Sequence, residues 1–127
     1  MVVAKPPIFV VDGSDISVHS SLEDAALQLE PIDVKDKLYA AYDSEGRLLN
    51  LGADRQRVKV SLAEELPNHA HELEEALRRY LSAIGKPEGS DPQCNLPRLV
   101  EVCKEFIVPP RSFKSILKDL FTKRKRQ

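Results

Sequence analysis

In the stretch NHAHELEEALRRYLSAIG, six apolar side chains, Leu73, Ala76, Leu77, Tyr80, Leu81 and Ile84, fall at i, i+3, i+4, i+7, i+8 and i+11. This spacing lines them along one face of an α-helix, and an apolar face of that length is stable only when another apolar surface covers it. Asn68 is placed to cap the start and Gly85 to end it, so the pattern predicts a helix over 68–84. Glu74 with Arg78, and Glu75 with Arg79, are i,i+4 pairs on the opposite face and mark the side that meets water. The rest of the chain must supply the surface on which the stripe rests.

Short strands supply it. PIFVVDGSDISVH reads as a hairpin, with an apolar run over 8–11, a turn at Asp12, Gly13 and Ser14, and then Ile16 and Val18 alternating with polar neighbours. His19, next to Val18 at the strand end, is expected to face water. Ser20 and Ser21 stand three residues before Glu23 and Asp24, a capping-box pattern that opens a short helix from 22 to about 30, where Pro31 stops it. KLYAAYDSEGRLLNLG is a second hairpin, in which 38–42 and 47–51 flank the turn cluster Asp43, Ser44, Glu45 and Gly46. In QRVKVSL, Val58, Val60 and Leu62 alternate with Arg57, Lys59 and Ser61, as in a strand with one solvated face.

Residues 86–95, KPEGSDPQCN, concentrate Pro, Gly, Ser and Asp and read as a loop between an α+β core at 1–85 and a C-terminal helical pair at 96–127. Leu96, Leu99, Val100, Cys103 and Phe106 mark the first helix of that pair; Phe113, Ile116, Leu117, Leu120 and Phe121 mark the second. Between them the prolines of VPPRS forbid continuation, and Ser112 is placed to cap the second helix. The expected fold is therefore α+β: a mainly antiparallel sheet of about five strands, packed by one short and one long helix, with two C-terminal helices closing the core.

A chain of 127 residues fits one such domain, and 42% apolar with 31% charged residues lies far from the composition of disorder. MVVAKPP has neither the basic region nor the apolar run of a secretory signal, and no stretch is apolar enough to span a bilayer, so a cytoplasmic protein is expected. Cys94 and Cys103 read as ordinary thiols, Cys103 on an apolar helix face.

No catalytic signature stands out. His69 and His71 point to different sides of a helix and cannot share a metal as HExxH does; His71 and Glu75 share a face without further ligands in view. GxSxG, GxGxxG and GxxxxGK[ST] are absent, so neither a nucleophile elbow nor a phosphate loop is indicated, and no cofactor or metal is expected. The charge distribution is more informative. Residues 1–110 carry 12 Lys and Arg against 19 Asp and Glu, whereas 111–127 carry 7 against 1. The basic tail at 123–126 reads as the wet end of a packing helix, with nucleic-acid binding or an adaptor role as the alternative. Asp33, Asp36, Asp43, Glu45 and Asp54 gather around the second hairpin, and Glu64, Glu65, Glu72 and Glu75 continue the acidic run.

The segments VVDGSDISVHSSLEDA, YDSEGRLL and LEEALRRYL resemble the small bacterial immunity proteins encoded beside polymorphic and contact-dependent growth-inhibition toxins. The likeness covers about 8–85, with the two C-terminal helices as an added piece. It implies a non-catalytic inhibitor that binds a cognate toxin C-terminal domain and occludes its active site; many such toxins are nucleases with basic clefts, which an acidic partner would suit. On the acidic-surface reading the candidate partner-binding residues are Asp33, Asp36, Asp43, Glu45, Asp54, Glu64 and Glu65, with Tyr39 and Tyr42 as exposed anchors.

Overall fold

The structure is a computed structural model, described for residues 2–13, 15–35, 39–54 and 56–108. A six-stranded sheet is its centre. The strands are β1 (Ile8–Asp12), β2 (Asp15–His19), β3 (Ala40–Tyr42), β4 (Leu48–Ala53), β5 (Val58–Leu62) and β6 (Ile107–Val108). Their spatial order is β5-β4-β3-β1-β2-β6; the first five pair antiparallel, and β6 joins β2 in parallel. The α+β expectation of an antiparallel sheet of about five strands therefore holds, with a short parallel strand added at one edge.

Helices cover both faces. Alternation along the strands sends Phe9, Ile16, Val18 and Tyr42 to one side, where α3 (Ala70–Ala83) and α4 (Leu96–Cys103) bury Leu73, Leu77, Leu81, Leu99 and Cys103 against them. Ile8, Val10, Ala41 and Leu49 point to the other side, with Ala25 of α1 (Leu22–Gln28) in the same cluster. The apolar stripe of the long helix thus rests on the strands, as its spacing requires. Ile84 does not take part: it follows α3 as the C-cap and is 45% exposed, while Gly85 at φ +82° turns the chain away.

Several local expectations are corrected. The long helix begins at Ala70, not at 68, and Asn68 does not cap it; His69 occupies the cap and makes no side-chain capping bond. The reason is tertiary, because His69 N–H donates to the Gly46 carbonyl at 3.0 Å, which ties the helix start to the β3–β4 turn. Pro31 ends α1 but also opens a further short helix, α2 (Pro31–Lys35), since its fixed φ and missing N–H suit a first helical position. His19 does not face water: it is 2% exposed, because with Ser17 it points to the face of the sheet that α1 covers, where the Asp24 charge acts on it. Within the capping box, the Ser21 hydroxyl accepts the Asp24 amide at 3.0 Å, while the Asp24 carboxylate accepts the Ser20 hydroxyl.

The segment 86–95 is more ordered than a plain loop. Its 3-10 turn, Pro87–Ser90, places Gly89 against α3, and Arg78 of α3 donates to the carbonyls of Asp91 (2.7 Å) and Cys94. The helical spacing puts Arg78 on the solvated face with Glu74; that contact exists at 3.9 Å, but the guanidinium's stronger bonds pin the segment. Glu75 turns to His71 at 3.0 Å. Both cysteines are buried and free, and burial pushes the Cys103 thiol up to about 12, so it is unreactive at neutral pH. The second C-terminal helix, the Ser112 cap and the basic tail lie outside the described residues, as do Leu38, Asp36 and the Asp33 side chain.

Candidate protein-binding site

The β3–β4 turn, the segment 63–69 and the first turn of α3 meet at one end of the sheet. Asp43 organises the turn. Its Oδ1 accepts the backbone amides of Glu45 (3.0 Å) and Arg47 (2.9 Å); its Oδ2 accepts the Lys5 amide (3.1 Å) and Arg47 Nη1 (3.2 Å). The residue is 0% exposed, so its place in a turn agrees with the sequence pattern and its role does not. An aspartate whose carboxylate can accept nearby amides is favoured in a turn, and here the carboxylate is consumed by the fold. Asp43 is therefore corrected from partner contact to structural acceptor.

Arg47 carries the organisation outward. Its Nη1 also reaches Glu45 at 2.5 Å and its Nε donates to the Glu65 carbonyl at 2.7 Å. Lys5 Nζ lies 3.4 Å from the same Glu45 carboxylate, and the Arg47 guanidinium, ahead of Lys5, holds the Glu45 carboxyl below its usual range. The amide of Ala63 donates to Leu48 O at 2.9 Å, and that of Asn68 to Leu66 O at 2.9 Å. The Asn68 bond closes a turn inside the segment; the segment is fixed to the fold by the Ala63 amide at one end, by the His69 amide on the Gly46 carbonyl at the other, and by Arg47 in its middle. Leu66, between Glu65 and Pro67, is 66% exposed.

Behind it lies a chain of titratable groups. His69 Nε2 meets Glu64 at 3.1 Å, His69 Nδ1 meets Glu72 at 3.1 Å, and Tyr42 donates its hydroxyl to the other Glu72 oxygen at 3.1 Å. The Glu64 and then the Glu72 carboxylates hold the imidazolium and raise the His69 pKa; burial, reinforced by Glu72, raises that of Tyr42. Both imidazole nitrogens are occupied by carboxylates, so the ring has none left to accept a substrate proton. Among the described residues, no group of three or more His, Cys, Asp or Glu is placed to hold a metal ion.

The histidines make the stability profile diagnostic. His69 has a raised folded pKa, so its contribution is fully present below the unfolded value of about 6.5 and is lost as pH rises through the folded value. His19 is opposite in sign: burial, ahead of the opposing Asp24 charge, lowers its pKa, so stability falls as pH drops below about 6.5 towards the folded value. In His69→Gln the compensating gain disappears, and urea midpoints between pH 7.5 and 5.5 should fall more steeply than in the native chain; parallel profiles would refute the assignment.

Of the nine candidate contact residues, the structure brings together Tyr42, Asp43, Glu45, Glu64 and Glu65. Tyr42 is 7% exposed and is corrected from surface anchor to core residue, with its hydroxyl reaching the Glu72 carboxylate. Asp54 sits in the β4–β5 turn at the far end of β4, accepting the amides of Gln56 (2.9 Å) and Arg57 (2.7 Å), which lower its pKa. Tyr39 is half-buried and packs with the α1-side cluster. Asp36 and the Asp33 side chain fall outside the described residues. Leu66, Arg47 and His69 escape sequence reading: each acts through tertiary placement that no local pattern marks. Comparison with known proteins finds no matching family profile, curated sequence or solved structure, so the likeness to immunity proteins rests on its turns and amphipathic stripes alone.

Proposed function

We propose that the chain is an immunity protein that binds a cognate bacterial toxin domain, one with a basic cleft of the kind nucleases have, and blocks its active site. The single observation that carries this reading is Leu66, 66% exposed on a segment fixed to the fold at both ends and preceded by Glu64 and Glu65, at the end of the sheet where Glu45 pairs with Arg47 and Glu72 with His69. An apolar anchor inside a charged rim is how a protein interface divides its work: the anchor, once desolvated, sets the dissociation rate, and the rim steers association. Pre-ordering of the segment lowers the entropic cost of docking. Lys5, Arg47 and His69 neutralise part of the acidic rim, and Glu65 is the carboxylate most free to act outward.

The direct test is co-expression with the toxin domain encoded immediately upstream of this chain's gene, which should restore growth. Continued killing while the protein is soluble and abundant would sink the proposal. With the purified toxin domain, Leu66→Ala should speed dissociation by about tenfold or more, and Glu65→Lys should slow association several-fold at low salt with a smaller effect at high salt. If neither rate moves, the partner uses another face.

A further inference from the structure

β5 forms one margin of the sheet, with β4 on one side of it and no strand on the other among the described residues. The register decides which of its backbone groups are free. In an antiparallel ladder, opposed residues alternate between pairs that exchange hydrogen bonds and pairs that do not. Asp54 N–H donates to Arg57 O (3.0 Å) at one end of the β4–β5 ladder, and Ala63 N–H to Leu48 O (2.9 Å) at the other. Arg57, Lys59, Ser61 and Ala63 are therefore the residues bonded to β4, and Val58, Val60 and Leu62 turn their N–H and C=O groups away from it. Those outward groups have no hydrogen-bond partner among the described residues. Val60 and Leu62 pack their side chains on the α1-side cluster, so α1 lies over the face of the strand and not across its edge; Lys59 and Ser61, on the opposite face, are exposed.

An open ladder of this kind accepts a further strand, and the sequence of β5 selects which. When a second copy pairs antiparallel about a two-fold axis at Val60, Val60 faces the partner's Val60 and Val58 faces the partner's Leu62. These are the residues whose groups point outward, so every free N–H and C=O of the strand is met; shifting the register by two residues strands some of them. Lys59 then stands opposite the partner's Ser61 and not opposite its own copy. Charge favours the same arrangement. Arg57 and Lys59 lie at the start of the strand, while Glu64 and Glu65 follow its end. Antiparallel pairing brings opposite charges together at both ends, whereas parallel pairing would bring like charges together. Leu27 of α1, 66% exposed, lines a groove of about 700 Å³ with Gln56, Arg57 and Val58, which sets apolar surface at the end of β5 where the partner's strand arrives.

We propose that the chain forms a two-fold dimer through β5, joining two copies of the sheet edge to edge. The contact uses the same strand on both sides, so it closes on itself and does not grow into a fibre. Five strand residues from each copy bury less than a standard interface does, which makes the dimer a weak one, with a dissociation constant of about 10–100 µM. The dimer does not rest on the inhibitor reading.

The test uses the full-length chain. Sedimentation equilibrium from about 5 to about 500 µM should show monomer passing to dimer, and the association should weaken several-fold between about 50 and about 500 mM salt. Over the same concentration range, amide hydrogen exchange should slow several-fold at Val58, Val60 and Leu62, while Lys59 and Ser61, already bonded to β4, change little. Val60→Pro removes an outward N–H and no bond to β4, and should weaken the dimer at least about tenfold with an unchanged circular dichroism spectrum. A second pair of substitutions, at exposed positions, reads the register whether or not that variant folds. Lys59→Cys combined with Ser61→Cys sets thiols opposite each other in a pair that exchanges no backbone bonds, so mild oxidation should give a covalent dimer that neither single substitution gives. The native cysteines are buried and do not compete. The proposal is overturned by a chain that stays monomeric at about 500 µM, by a dimer in which exchange at Val58, Val60 and Leu62 is unchanged, or by failure of the combined variant to cross-link.

Discussion

Asp43→Ala should cost about 3–5 kcal/mol of folding stability, which for a domain of this size lowers the thermal midpoint by roughly 10–20 °C. The carboxylate is fully buried and accepts from three backbone amides and one guanidinium nitrogen, so its removal leaves the amides of Lys5, Glu45 and Arg47 and the charge of Arg47 without their partner. The asymmetry between an unmade bond and an unsatisfied donor sets the size of the effect. Asp43→Asn keeps one acceptor oxygen and the shape, and should fall between the two. Glu45→Ala removes a half-exposed carboxylate from the same turn and should barely shift the urea midpoint, because exposed ion pairs contribute little. A loss below about 1 kcal/mol in Asp43→Ala would show that the turn holds without its central acceptor.

Gly46→Ala is the second large effect, at about 3 kcal/mol or more. Two causes add. Gly46 has φ +91°, which an L side chain rarely adopts, and a Cβ there would collide with the Ala70 Cα and lie 2.5 Å from its nitrogen. Those are backbone atoms of the first turn of α3 and cannot rotate aside. Gly13→Ala separates the causes, since Gly13 has φ +61° and nothing within 4 Å of its Cβ position; it should cost only the conformational part, about 1–2 kcal/mol. Equal losses at the two glycines in urea denaturation would mean that the turn does not depend on its contact with α3.

These two residues also show what is legible without the structure. The turn at 43–46 is evident from Asp, Ser, Glu and Gly in succession, and so is the strand on each side. The direction of the Asp43 side chain is not, because whether an Asx carboxylate faces solvent or backbone depends on what packs around it; here Lys5 comes from one side and Arg47 from the other. The long helix is legible because its period is set by its own residues, whereas its first residue is fixed by Gly46 in another hairpin. His19 is misplaced by its pattern for a related reason: alternation identifies which residues share a face, but only the packing of α1 on β2 decides that the face of His19 is covered. In the candidate site, the acidic character of 43–65 is visible in the sequence, and the exposure of Leu66 beside it is not, since nothing local distinguishes that leucine from a buried one.

The pairing of β6 with β2 has a kinetic meaning. It joins Val18 to Ile107 and His19 to Val108, the partners most distant in sequence within the sheet, through a strand only two residues long. Closing so large a chain loop for so few bonds is slow and comes late, after the local hairpins have zipped. Until then β2 presents a bare ladder of amides and carbonyls along a Val/Ile-bearing strand, the form in which nascent sheets stick to one another. Release from the ribosome before Ile107 has emerged would therefore leave a chain whose other strands can pair yet whose margin is open, and self-association at that margin is the hazard this short strand suppresses.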